Sequence, residues 1–143
     1  IVKLKQYMDI EIREAKLAEI LPVRHQVLWP DKPFVFVRVE GDEQGIHFGL
    51  YKDDLLVTVI SLFGEGKSIR FRKFATLTGF QNQGFGRKMI LHTIDYARER
   101  GFDRIWCDAR LDALRFYERA GFEKFSTTFF KEGVAYCKIE KVL

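Results

Sequence analysis

Hydrophobic and polar positions along the chain change period several times, and each change marks an element. "DIEIRE" sets Ile10 and Ile12 between charged residues, the alternation of a short half-exposed strand. From Lys16 to Leu28, Leu17, Ile20, Leu21, Val27 and Leu28 fall at helical spacing, in a helix where Pro22 suits only a first turn or a kink. "WPDKP" ends that helix, because two prolines so close together cannot continue it, and Phe34 to Asp42 has no clear period. "IHFGLY" and "LLVTVISLF" on either side of "KDD" read as a hairpin. "GEGK" turns the chain again, and "SIRFRKFATL" alternates as a third antiparallel strand. A helix follows from about Gly84 to Arg100, with Ile90, Ile94 and Ala97 on one face, Met89 and Thr93 beside it, and Gly101 as its C-terminal cap. "DRIWCDA" is a short buried strand. Asp112 can cap a second helix whose Ala113, Phe116, Tyr117 and Ala120 share a face, ended by Gly121. "FEKFSTTFFK" and "VAYCKIEKVL" finish as two strands around Lys131, Glu132 and Gly133. Strands cluster first and then alternate with helices, which predicts an α/β fold with a mixed, mostly antiparallel sheet flanked by helices.

The 143 residues suit a single domain, 1–143. Hydrophobic residues at 47% and charged residues at 31% are an ordinary globular balance, which excludes a disordered chain. No apolar run is long enough for a membrane-crossing helix and no signal-peptide pattern opens the sequence, so no membrane partner and a cytoplasmic location are expected. "IVKLKQY" reads as a tail or edge segment. Cys107 and Cys137 lie in apolar runs without metal-ligand spacing, as free buried thiols would, and no metal is expected. Net charge is +4, with 24 basic residues facing 20 acidic ones and no block of like charge. That balance weakly favours a small anionic ligand. A nucleic-acid binder of this size concentrates its cations more heavily.

One stretch carries chemistry. In "QNQGFGRK", positions 81 to 88, Gly84 and Gly86 stand where a helix begins, and Arg87 and Lys88 follow. The first-turn N–H groups of a helix lack intrahelical partners, and glycine lets a phosphate approach the backbone with no Cβ in the way. The alternative is a helix entry whose glycines serve turn geometry alone. A Walker loop requires Gly-Lys-Ser/Thr, but Gly86 precedes Arg87, Lys88 and Met89. A Rossmann fingerprint requires a third glycine where Met89 stands. Both standard phosphate motifs fail.

What remains, Gln-x-x-Gly-x-Gly at a helix start after an antiparallel strand, resembles the acyl-CoA pyrophosphate loop of the GNAT superfamily of N-acetyltransferases. A second stretch, "ARLDALRFYERAGF" at 109 to 122, resembles the superfamily's later helix through Ala113, Phe116, Tyr117, Gly121 and Phe122. The shared region runs from about Ser68 to Phe122. "LPVRHQVLWPDKP" is similar to a helix and loop that shape the acceptor side in some bacterial members. "GVAYCKI" is similar to their last strand, where many carry histidine in place of Tyr136. The resemblance implies a single-domain GNAT-like fold and acetyl transfer from acetyl-CoA to an amine of a small molecule or peptide, by direct attack in a ternary complex, with a homodimer among the arrangements it allows. It also implies site roles. Phe74, Ala75 and Thr76 would hydrogen-bond pantetheine through their backbone. Gln81 would start the pyrophosphate loop, and Asn82, Gln83, Gly84, Phe85, Gly86 and Arg87 would wrap it. Tyr117 would stand near the thioester sulfur as the catalytic group. Arg110 departs from the pattern, since many members carry asparagine seven residues before the tyrosine.

The implied chemistry requires a neutral amine, yet a lysine-type amine titrates near about 10.4, so a base or water chain must take its proton. A phenol near about 10 is a weaker acid than a thiol near about 8.5, so full proton transfer from Tyr117 is uphill by roughly 2 kcal/mol. A strong hydrogen bond is then what a tyrosine can supply. No base is assigned. His47 is a candidate, set by alternation opposite Ile46, Phe48 and Leu50, although a strand histidine is more often surface or packing. His25, beside Arg24, is weaker, and His92 is expected on a solvated helix face. Glu40, Asp42 and Glu43 suit either an acceptor cleft or a plain loop. Two rival readings are a non-catalytic acyl-CoA sensor and a nucleic-acid module using Arg98, Arg100 and Arg104. The Tyr117 and glycine patterns argue against both.

Overall fold

The computed structural model describes residues 9–143, and the "IVKLKQY" segment lies outside the described residues. The chain begins with β1 (Ile10–Glu14) and α1 (Leu17–Leu28), then passes through two short 3₁₀ turns, Phe34–Val37 and Asp42–Gln44. β2 (Ile46–Lys52), β3 (Leu55–Glu65) and β4 (Ser68–Thr76) follow, then a 3₁₀ turn Thr78–Phe80 and α2 (Phe85–Glu99). β5 (Arg104–Arg110), the turn Leu111–Ala113, α3 (Leu114–Arg119), β6 (Glu123–Lys124), β7 (Phe129–Lys131) and β8 (Val134–Val142) complete it. The strands form one eight-stranded sheet in the order β1-β2-β3-β4-β5-β8-β6, with β7 also on β8. β4 and β5 pair in parallel, while β1–β2, β2–β3 and the pairs of β8 are antiparallel. This is the mixed, mostly antiparallel α/β sheet that the pattern predicts.

Local chemistry explains the turns. Asp53 and Asp54 have φ of 50° and 66°, and Glu132 and Gly133 have 50° and 77°. Two left-handed residues in a row match the twist of the strands a tight hairpin joins. Pro22 is the sixth residue of α1, past the first turn, which leaves the kink of the two placements expected, and the buried Ile20, Leu21 and Val23 pack the helix around it. Three expectations need correction. Asp112 makes no capping bond; it sits inside the 3₁₀ turn, and α3 starts two residues later. The segment "FEKFSTTFFK" splits into β6 and β7, and Ser126 between them accepts the Lys138 N–H through its Oγ. β5 is buried on one face only, at Ile105, Cys107 and Ala109.

The chain divides into two compact units, one comprising residues up to Phe63 with Lys73–Met89, the other Gly64–Arg72 with Ile90–Leu143. In the first, Ile20 and Val23 of α1 pack with Val59 of β3 and Ala75 of β4, flanked by Val27, Leu28, Leu56 and Leu77. In the second, Ile90, Thr93, Ile94 and Ala97 are the buried face of α2, as helical spacing requires. Cys107 and Cys137 are free and buried in that unit, and burial raises both thiols above their usual titration range.

Candidate active site

In the first unit, β4 ends at Thr76 and the chain reaches α2 through Leu77–Gly84. Two glutamines brace this loop. Gln81 donates from Nε2 to the Thr76 carbonyl at 2.9 Å, and Gln83 donates to the Gly79 carbonyl at 3.3 Å. Asn82 and Gly84 both have left-handed backbones, with φ of 61° and 85°. The Gly84 carbonyl accepts the Lys88 N–H at 3.1 Å, so the N–H groups of Phe85, Gly86 and Arg87 precede the first intrahelical bond. A Cβ on Gly84 would meet nothing within 4 Å. Space therefore lies open beside Gly84, at the positive end of a four-turn helix. Phe85 anchors the turn with a buried ring, 6.5 Å from that of Phe80.

The strand residues before the loop lie in the same unit. Ala75 is buried in the α1 core, whereas Phe74 and Thr76 are half-buried, and Thr76 Oγ1 is 2.9 Å from Thr58 Oγ1. Lys73 has a φ of 55° within the strand, an uncommon backbone for a non-glycine residue. The structure thus brings Phe74–Thr76 and Gln81–Arg87 into one unit, tied by the Gln81 side chain.

The base candidates of this unit serve other purposes. Arg24 is wholly buried and grips Asp42 with two hydrogen bonds, Nη1 to Oδ2 at 2.9 Å and Nη2 to Oδ1 at 2.8 Å. It also donates to the Val37 carbonyl and to Ser61 Oγ. His47 Nε2 lies 2.8 Å from the Asp42 carbonyl, which can only accept, so Nε2 carries the proton. Nδ1 lies 2.7 Å from the Ser61 hydroxyl. Both nitrogens are engaged, and His47 has no lone pair to offer a substrate amine. Burial alone would raise the Asp42 carboxyl, but hydrogen bonds from Arg24 and the Val39 N–H, with the Arg24 charge, hold it below the ordinary value. Asp42 is thus a core anchor, not part of a cleft. Glu40 and Glu43 are exposed, Glu43 3.9 Å from Arg38. His25 Nε2 donates to the Lys32 carbonyl at 2.7 Å, and His92 is half-buried, not solvated as expected.

The second unit holds Tyr117, the buried residue of α3. Its ring contacts Phe71 at 5.8 Å, Phe122 at 5.7 Å and Phe116 at 5.2 Å. Desolvation by these rings, and secondarily the nearby Cys107, pushes its phenol well above the usual tyrosine value. Tyr117 is therefore neutral across physiological pH and a still weaker acid than a free phenol, a donor of hydrogen bonds more than of protons. Arg110, the last residue of β5, is half-buried and lies opposite Tyr136 on β8. Sequence reasoning missed the Lys73 backbone, the two glutamine braces and the Arg24 network. The braces span four and five residues and were within reach of a local reading. The network joins residues up to 37 positions apart and left no local signal.

Among the described residues no group of three or more His, Cys, Asp or Glu is placed to hold a metal, and no helix is long and apolar enough to cross a membrane. Comparison with known proteins adds a family. The acetyltransferase (GNAT) family matches residues 14–122. The chain is 25% identical over 134 residues to a Bacillus subtilis (strain 168) protein called uncharacterized N-acetyltransferase YitI, covering 87% of this chain and 90% of the relative. Its fold is similar to the crystal structure of a candidate N-acetyltransferase from Lactobacillus plantarum, with a TM-score of 0.85 and 22% identity over 94% of this chain and 98% of the other. It is also similar to a Bacillus subtilis acetyltransferase solved in complex with CoA, with a TM-score of 0.71 and 21% identity over 94% and 97% of the two chains.

Proposed function

The chain belongs to the acetyltransferase (GNAT) family, and on that premise we propose that it moves an acetyl group from acetyl-CoA to an amine of a small molecule or peptide, by direct attack in a ternary complex. The observation that carries this reading is the Gln81–Arg87 loop. Its left-handed Asn82 and Gly84 turn the chain into α2, and open space lies over Gly84 beside the first N–H groups of the helix. A pyrophosphate fits such a site, with Gly84, Phe85, Gly86 and Arg87 offering backbone donors and Arg87 adding charge. The strand segment Phe74–Thr76, whose last carbonyl already accepts from Gln81, is where an extended amide-bearing arm such as pantetheine would lie, as an added strand would pair.

The acceptor nitrogen, deprotonated, bonds to the thioester carbonyl carbon, the carbon–sulfur bond breaks, and the sulfur leaves with the electron pair. One proton from the amine must reach that sulfur for the products to be an amide and a thiol. Tyr117 stabilises the departing sulfur by donating a hydrogen bond from its neutral hydroxyl, and its raised phenol value keeps that proton in place. Water relays that proton from the nitrogen to the departing sulfur, since both nitrogens of His47 are already engaged.

The test is release of CoA thiol, followed colorimetrically, with acetyl-CoA and a panel of primary amines. Release requiring both substrates supports the reading. Acetyl-CoA binding without turnover on any amine would favour the non-catalytic sensor, and absence of acetyl-CoA binding would overturn both.

A further inference from the structure

The face of the second unit opposite Tyr117 is crowded with cations and rings. On β4, Ile69 and Phe71 are buried, and Phe71 meets the Tyr117 ring, so Arg70 projects to the other side. On β5, Ile105, Cys107 and Ala109 are buried, so Arg104, Trp106, Asp108 and Arg110 share Arg70's side. There Asp108 receives three cations, Arg70 Nη2 at 2.8 Å, Lys138 Nζ at 2.9 Å and Lys131 Nζ at 3.0 Å. Arg104 pairs with Glu140 alongside. Four cations thus face two carboxylates in this cluster, an excess of two positive charges on a chain of net charge +4.

Aromatic rings hold the cations in place. Phe129 and Tyr136 stack with centroids 6.0 Å apart, and Lys131 stands 4.5 Å from the Tyr136 centroid. Lys138 lies 5.0 Å from Trp106 and 5.3 Å from Phe129, while Arg70 lies 4.6 Å from Trp106. An ammonium has three donors, and one carboxylate shared among three cations leaves some over. The Lys131 and Lys138 side chains are 40% and 39% exposed, so those donors are within reach of a ligand. The patch also lies at the informative end of β5. Tyr136 pairs with Arg110, after which Leu111–Ala113 leads directly into the Tyr117 helix.

We propose that this charged face recognises the acceptor, and that the acceptor is an amine bearing a carboxylate, which Lys131 and Lys138 hold. Asp108 already displays the geometry: Lys138 takes one carboxylate oxygen and Lys131 the other. The inference rests on the acetyltransferase reading above, whose failure has a separate signature.

Calorimetric titration of the CoA-loaded protein with matched probes tests it: 4-aminobutyrate and its amide, phenylalanine and its amide, and 3-aminopropyl phosphate. Each carboxylate should bind at least about tenfold more tightly than its amide. In the double variant Lys131→Gln, Lys138→Gln that ratio should fall to within about threefold, whereas the Lys131→Arg, Lys138→Arg variant should restore it. With any amine that turns over, the lost preference should be in KM more than in kcat. Equal binding of acids and amides, a preference that survives the glutamine variant, tight binding of the phosphate probe alone, or binding of none of the probes would overturn the proposal. Carboxylate binding that persists while no amine is acetylated would instead sink the acetyltransferase reading and leave this surface as a carboxylate site.

Discussion

Arg24 and Asp42 meet as a two-pronged ion pair inside the first unit, at 2.9 Å and 2.8 Å, with side chains 0% and 2% exposed. The pair joins α1 to the short turn before β2. Backbone and hydroxyl partners take up the rest of both forks, since Arg24 also donates from Nη1 to Val37 and from Nη2 to Ser61 and Asp42 accepts the Val39 N–H, while Arg24 Nε is buried without a hydrogen-bond partner among the described residues.

Asp42→Ala should therefore destabilise the protein by about 3–5 kcal/mol, because it leaves the Arg24 guanidinium buried without its counter-charge. The parent should also lose stability in acid. The folded carboxyl titrates below its unfolded value, so its contribution is fully present above about pH 3.9 and disappears as pH falls through the folded value. Urea unfolding between neutral and acidic pH, on parent and variant, reads both effects. A variant as stable as the parent at neutral pH would contradict the assignment.

Tyr51 controls the alkaline side. Burial, together with its 2.8 Å hydrogen bond to Glu19 and that residue's charge, pushes its phenol up to about 12. An unfolded tyrosine ionises near about 10, so the stabilisation is complete below that pH and is lost as pH rises toward 12. Thermal melts from pH 9 to 12 should show a steeper decline for the parent than for Tyr51→Phe. Parallel declines would show that Tyr51 does not carry the effect.

The loop makes a prediction about binding. Gly86 lies in the first turn of α2, where a branched side chain would crowd an approaching pyrophosphate. Gly86→Val should weaken acetyl-CoA binding at least about tenfold, or about 1.4 kcal/mol. Gly84→Val is a poorer probe, because a φ of 85° strains any branched residue whatever space surrounds it. Calorimetry on folded Gly86→Val decides the matter, and unchanged affinity removes the phosphate role from this turn.

Tyr117→Phe separates chemistry from packing. Phenylalanine keeps the contacts with Phe71, Phe116 and Phe122 and loses only the hydroxyl. Turnover should fall by roughly ten- to a thousandfold while acetyl-CoA affinity and melting temperature stay near those of the parent. Turnover within about twofold of the parent would leave Tyr117 as a core aromatic.

Local patterns determined a large share of this protein. Alternation and helical spacing placed β1, the β2–β3 hairpin and the buried face of α2 (Ile90, Ile94, Ala97), because those signals need only neighbours a few residues away. Gly84 was legible for the same reason, since a turn into a helix is a local event. Tertiary structure decided what depends on distant partners. His47 was open in the sequence to a base or to a packing role, and Ser61 and Asp42, brought to it by folding, engage both ring nitrogens. Asp42 looked like a loop carboxylate until Arg24, 18 positions earlier, buried it. Asp108 gave no sign of drawing Arg70, Lys131 and Lys138 together, because β4, β5, β7 and β8 become neighbours only in the sheet. A side chain's charge and reach are written in the sequence, but whether it is desolvated and what it faces are properties of the packed fold.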